Sequence, residues 1–93
     1  MKLQQFNEEQ KEQIINFGAF SYPIGKMAAI LIIEKSVIKE WQKDENSEFE
    51  KLYQKGVHLC DYVLDLKLFE MAQLGDLKAL QQFEFRKTKR TKK

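Results

Sequence analysis

Between Phe49 and Met71 the apolar residues recur at spacings of three and four. One set is Phe49, Leu52, Leu59, Val63 and Leu66; a second is Tyr53, Val57, Cys60, Leu64, Leu68 and Met71. Intervals of this kind bring side chains to a common side only on a helix. The two sets fill adjoining arcs, wider than the roughly 100° stripe of an ordinary surface helix, so one packing partner cannot cover both. A second copy of the chain is the expected source of the missing cover, against the plainer arrangement in which the neighbouring helices wrap this one completely. The expected self-association residues are Phe49, Leu52, Tyr53, Leu59, Val63, Leu64, Leu68 and Met71.

The rest of the chain offers no competing architecture. Four Gly and one Pro in 93 residues are too few for a turn-rich sandwich or barrel, and no alternating run leads into a two-residue Gly turn. The expected fold is all-α: a small helical domain of about five helices that contains a helix-turn-helix and is built around a long central helix. Asn7 is placed to cap a first helix, with Glu8 and Glu9 in its first turn. Gly18 should weaken that helix near its end by about 1 kcal/mol relative to Ala. The second helix is expected over about Pro23 to Leu31 and the third over about Lys35 to Lys43. Asn46 or Ser47 then caps the long helix, Glu48 to Gln73, which Gly56 is expected to bend. Leu74-Gly75-Asp76 ends it and caps a last helix from about Leu77 to Arg86. The expected organisation is a single domain over 1–85, with a helix-turn-helix at about 23–43, and a basic tail over 86–93 that carries no apolar residue and should be disordered.

Charge is unevenly spread. The net +2 conceals six of the sixteen basic residues in the last eight positions: Arg86, Lys87, Lys89, Arg90, Lys92 and Lys93. The preceding residues hold ten bases and fourteen acids. A mildly acidic body with a basic end points to a polyanion met by that end. One Cys excludes a disulfide framework or a multi-Cys zinc site. The longest apolar run, Met27 to Ile33, is far too short for a bilayer span, and the polar start Met-Lys-Leu-Gln-Gln does not suit a secretory signal, so no membrane partner is expected. His58 and Cys60 stand two apart on a helix, pointing about 200° away from each other, which rules out a shared metal or a nucleophile–base pair. Cys60 reads as a buried small hydrophobe, His58 as a surface residue, and Glu8, Glu9 and Glu12 as a solvated face. With no phosphate-cradling Gly loop and no dinucleotide fingerprint, neither enzyme activity nor a cofactor or metal is expected.

The segment with functional content is 28–41. Ala28, Leu31, Ile33, Ile38 and Trp41 resemble the spacing of a DNA-binding helix-turn-helix, in which a small residue lets two helices approach and apolar residues lock their crossing. On the third helix Val37, Ile38 and Trp41 share one side, and Lys35, Ser36, Lys39 and Lys43 the other. Lysines and a small hydroxyl suit contacts to phosphates and base edges. Glu40 lies at the margin of that face. Many such motifs have Gly after the position held by Leu31; here it is Ile32, and a β-branched residue is poor at positive φ, which predicts a turn of different build or a shifted register. The alternative is an ordinary packed pair with a solvated charged face.

The layout from about 10 to 82 resembles the small subunit of phage terminase, the DNA-packaging recognition component. The residues that carry this are Phe17-Gly18-Ala19-Phe20, Ala28-Ala29-Ile30-Leu31 running to Trp41, Ser47-Glu48-Phe49 with Tyr53 and Gly56, Leu66 to Ala72, Gly75-Asp76 and Lys78-Ala79-Leu80. The resemblance implies a helix-turn-helix that binds viral double-stranded DNA through Lys35, Ser36, Lys39 and Lys43. It also implies central helices that assemble a homo-oligomeric ring, a terminase large subunit as further partner, and the cytoplasm of the bacterial host as the location. Arg86, Lys87, Lys89 and Arg90 are the expected tail contacts to DNA. Two other readings share these residues: a dimeric helix-turn-helix transcriptional regulator, and a helical protein–protein module without a nucleic-acid role.

Overall fold

The computed structural model describes residues 6–91. They form five helices: α1 (Glu8–Phe20), α2 (Ile24–Leu31), α3 (Lys35–Lys43), α4 (Glu48–Gln73) and α5 (Leu77–Thr91). The fold is all-α with a long central helix, and no strand occurs among the described residues. The chain divides into two compact units, Met1–Leu59 and Cys60–Lys93. Burial accounts for the division. The large buried apolar side chains Ile14, Phe17, Met27, Leu31, Ile38 and Phe49 all belong to the first unit, and among the described residues of the second Ala79 is the buried apolar one.

The helix starts are set by short polar side chains that accept the unpaired first-turn amides. Asn7 and Gln10 form a reciprocal box, Asn7 Oδ1 accepting from the Gln10 amide at 2.7 Å and Gln10 Oε1 from the Asn7 amide at 3.1 Å. Ser47 Oγ accepts from the Glu50 amide at 3.1 Å and donates to the Trp41 carbonyl at 2.6 Å. This one buried hydroxyl therefore ties the end of α3 to the start of α4. Asp76 Oδ1 accepts from the Ala79 amide at 3.1 Å. Pro23 is extended and precedes α2 as its cap, one position outside the helix expected to begin there.

In the first unit α1 and α4 cross at two glycines. A Cβ on Gly18 would overlap the Tyr53 carbonyl, and one on Gly56 would overlap the Ile15 carbonyl oxygen and approach the Ala19 nitrogen. Both glycines are buried. The sequence suggested that Gly18 weakens α1 and that Gly56 bends α4; the structure gives both another purpose, the removal of side chains where two backbones meet. Around this crossing the core gathers Ile14, Phe17, Met27, Leu31, Ile38 and Phe49, with Phe6, Tyr22, Ile24, Ala28, Ile33, Trp41, Leu52 and Tyr53 packed against it. Phe6 meets Trp41 edge-on at 5.4 Å, and the Trp41 ring lies 5.7 Å from that of Phe49, separations at which aromatic pairs attract beyond their buried area. Burial pushes the Tyr53 phenol above its ordinary pKa, with the Glu50 carboxylate adding to the effect.

This core corrects part of the expected self-association set. Phe49 is wholly enclosed by its own chain, and Leu52 and Tyr53 pack partly against the same core. Phe49 is an interior residue, whereas Leu52 and Tyr53 are half-buried beside it. Farther along, Leu59, Val63 and Leu64 are exposed at 46%, 59% and 47%, while Leu68 and Met71 are half-buried.

In the second unit, residues 60–73 of α4 turn at Leu74-Gly75-Asp76 into α5. Gly75 adopts φ 99°, and the Asp76 amide reaches back to the Met71 carbonyl at 3.2 Å, closing the helix end. The Phe69 and Phe83 rings lie 5.6 Å apart. The disordered tail expected over 86–93 is corrected for its described part, since α5 continues as helix to Thr91; Lys92 and Lys93 lie outside the described residues. Internal ion pairs account for the added turns. Arg86 bonds Asp65 at 2.6 Å and Asp61 at 3.3 Å, Arg90 bonds Asp65 at 2.8 Å, and Lys87 pairs with Glu84 at 3.9 Å.

Candidate nucleic-acid interface

The interface is built on the corner between α2 and α3. Met27 and Leu31 of α2 and Ile38 of α3 are buried, Ala28 is half-buried, and Ile33 and Trp41 pack against the same cluster. Residues 32–34 join the helices. Ile32 adopts φ 57° and ψ 51°, the left-handed conformation, and the residue is 88% exposed. The Ile32 amide is bonded to the Ala28 carbonyl, and the Ile33 amide reaches the same carbonyl at 3.1 Å. The positive φ that disfavours a β-branched residue is adopted by Ile32 all the same. The turn keeps its left-handed residue, at a cost of about 1–2 kcal/mol for a non-glycine there. The enclosed neighbours Leu31 and Ile38 supply the burial that offsets it.

With Ile38 and Trp41 turned inward, Lys35, Ser36, Lys39 and Lys43 are all exposed. The lysines recur every four residues, so their directions span about 80° of the helix circumference. Among the described residues none of the three forms an ion pair. Lys35 opens α3, where a positive charge opposes the helix dipole by a few tenths of a kcal/mol. A locally unfavourable charge on a solvent face is a feature that folding does not explain. Lys43 sits in the last turn, where the dipole favours it. Glu40 is exposed on the same helix.

Two contributions escaped the sequence reading. Gly25 on α2 lies beneath the Lys35 side chain; a Cβ there would stand 3.7 Å from Lys35 Cε and 3.9 Å from its Nζ. Lys26 is an additional exposed cation, its ammonium 4.5 Å from the centre of the Tyr22 ring. The signal for Gly25 was its position one turn before Ala28, but only the fold pairs it with Lys35.

The other expected DNA contacts lie on α5. Arg86 is half-buried and Arg90 exposed, both engaged by Asp65. Lys87 and Lys89 are exposed, each with its ammonium 5.7 Å from a phenyl centre, that of Phe83 for Lys87 and Phe85 for Lys89. Hydrogen bonding from Arg86 is the chief cause that holds the Asp65 carboxyl below its ordinary range, and the same bond raises the Arg86 guanidinium. His58 is exposed and Cys60 half-buried. Among the described residues no group of three His, Cys, Asp or Glu side chains could hold a metal ion, and no helix is long and apolar enough to cross a membrane. The chain matches no protein-family model, no curated protein and no solved structure.

Proposed function

We propose that the chain is a duplex-DNA-binding adaptor of the terminase small-subunit kind, one that recognises viral DNA for packaging and assembles with copies of itself. The observation that carries this reading is the row of exposed, unpaired lysines on a helix whose opposite side is locked into a core. Phosphate contacts from such a row position a helix against a duplex. Lys39, at the middle of the row, is the decisive residue. Lys39→Glu should weaken duplex binding at least tenfold at low salt and leave thermal unfolding unchanged, because an exposed side chain contributes little to stability. Unchanged affinity in a folded Lys39→Glu protein rejects α3 as the reader, and a wild-type chain that binds no duplex leaves the protein–protein module.

Self-association is the second part of the proposal. It is supported by the apolar side chains left uncovered on the second unit's part of α4, Tyr62, Val63, Leu66 and Phe69, each more than two-fifths exposed. These recur at three and four and point within about 120° of one another. Contiguous exposed apolar surface of this kind marks association sites. Light scattering on the 11.1 kDa chain should give a mass of eight or more subunits for a packaging adaptor. A dimer would favour a transcriptional regulator on a two-fold symmetric site, and a monomer at high concentration would reject self-association.

A further inference from the structure

A concavity of about 280 Å3 in the second unit is lined by Asp61, Arg86, Lys89 and Arg90. Three cations thus meet two carboxylates, counting Asp65, and the carboxylates differ in how they are held. Asp65 accepts from Arg86 Nε at 2.6 Å and from Arg90 Nη2 at 2.8 Å, with its side chain 22% exposed. Asp61 makes one longer contact, 3.3 Å to Arg86 Nη2, and its side chain is 52% exposed. One acid spans both guanidinium groups through its two oxygens, and the other rests against an outer nitrogen.

We infer that the Arg86–Lys89–Arg90 face of α5 is a phosphate site, that Asp65 positions its two arginines, and that Asp61 is the carboxylate a nucleic-acid phosphodiester displaces. Guanidinium nitrogens bind carboxylate and phosphate with the same planar donor geometry. A phosphate that replaces Asp61 therefore keeps the bond to Arg86 Nη2, and it adds attraction from Lys89, whose ammonium lies 5.7 Å from the Phe85 ring centre and has no ion-pair partner among the described residues. Asp65 can stay in place throughout, because it uses Arg86 Nε and a single Arg90 nitrogen. The assignment to a nucleic-acid backbone rests on the proposed duplex binding.

The test compares Asp61→Asn with Asp65→Asn. Each raises the net charge by one, so a simple charge effect tightens both alike. Binding of a fluorescent 20-bp duplex of arbitrary sequence is measured across a salt series. Asp61→Asn should bind severalfold tighter across the series, because no carboxylate then competes with the phosphodiester for Arg86 Nη2. Asp65→Asn should show no such gain, because the arginines lose their anchor. Equal tightening in both variants, or no change in Asp61→Asn, overturns the site. Should Asp65→Asn lose helicity, the Asp61→Asn/Arg86→Gln double variant decides instead: the gain must vanish there, and its persistence overturns the site. On the wild-type chain, the Arg86 Nε–H resonance should move with duplex and stay put with inorganic phosphate at equal phosphate concentration. The reverse rejects a nucleic-acid ligand. A wild-type chain that binds no duplex overturns the duplex reading and this site together, whereas one that binds but treats the two aspartates alike overturns this site alone.

Discussion

Phe49→Ala is expected to lower the unfolding free energy by about 3–5 kcal/mol, a large part of the about 5–15 kcal/mol available to a small domain. The ring has no solvent exposure. It lies 5.7 Å from the Trp41 ring and 6.4 Å from the rings of Phe6 and Tyr53, so truncation opens a cavity among aromatic groups that cannot collapse to fill it. Urea unfolding followed by circular dichroism gives the value, and the transition midpoint moves far down or disappears. Val63→Ala, also on α4 but at a residue 59% exposed, should change the stability of the isolated chain by under about 0.5 kcal/mol. Were Phe49 a subunit contact, the order would reverse: Phe49→Ala would stay folded and change only the mass in solution. The pair therefore separates the interior arc of α4 from its open arc.

Gly56→Ala is expected to be at least as damaging, although it adds one methyl group. The new Cβ would overlap the Ile15 carbonyl oxygen and lie 2.9 Å from the Ala19 nitrogen. These are backbone atoms of a neighbouring helix and cannot swing aside as a flexible side chain can. Relief requires α1 and α4 to separate, which loosens Ile14, Phe17 and Phe49 together. The loss should exceed the roughly 1–3 kcal/mol usual for overpacking, and the thermal midpoint should fall by well over 10 °C, since each kcal/mol shifts a domain of this size by about 4–8 °C. Gly75→Ala is the contrasting case. A Cβ there meets nothing within 4 Å, and only the φ of 99° resists, so the cost stays near 1 kcal/mol. Equal midpoints for Gly56→Ala and Gly75→Ala would show that the crossing tolerates a side chain.

Much of the fold was legible because its signals are local. Asn7, Ser47 and Asp76 cap through their own neighbours, and the span from Glu48 to Gln73 declares itself by period. The inward turn of Ile38 and Trp41, with Lys35, Lys39 and Lys43 outward, comes from 100° steps along α3. The hidden part depends on residues distant in the chain. Gly18 and Gly56 look like weak points in two helices until the helices are brought together. Phe49 has the same spacing as Leu59 and Val63, and periodicity cannot tell which part of a stripe meets its own chain. Arg86 and Arg90 read as a solvated tail because their acidic partners, Asp61 and Asp65, lie more than twenty residues earlier. Of the candidate interface, the identity of the exposed side chains was readable and the Gly25 floor under Lys35 was not.

The unequal division of buried residues has an evolutionary consequence. A chain that stopped after Leu59 would keep each large enclosed side chain that holds α3 in place. Mutation can therefore lengthen, trim or replace the second unit while the lysine row keeps its mounting. Descendants of such a sequence would be free to vary the second unit and still present the same row of cations.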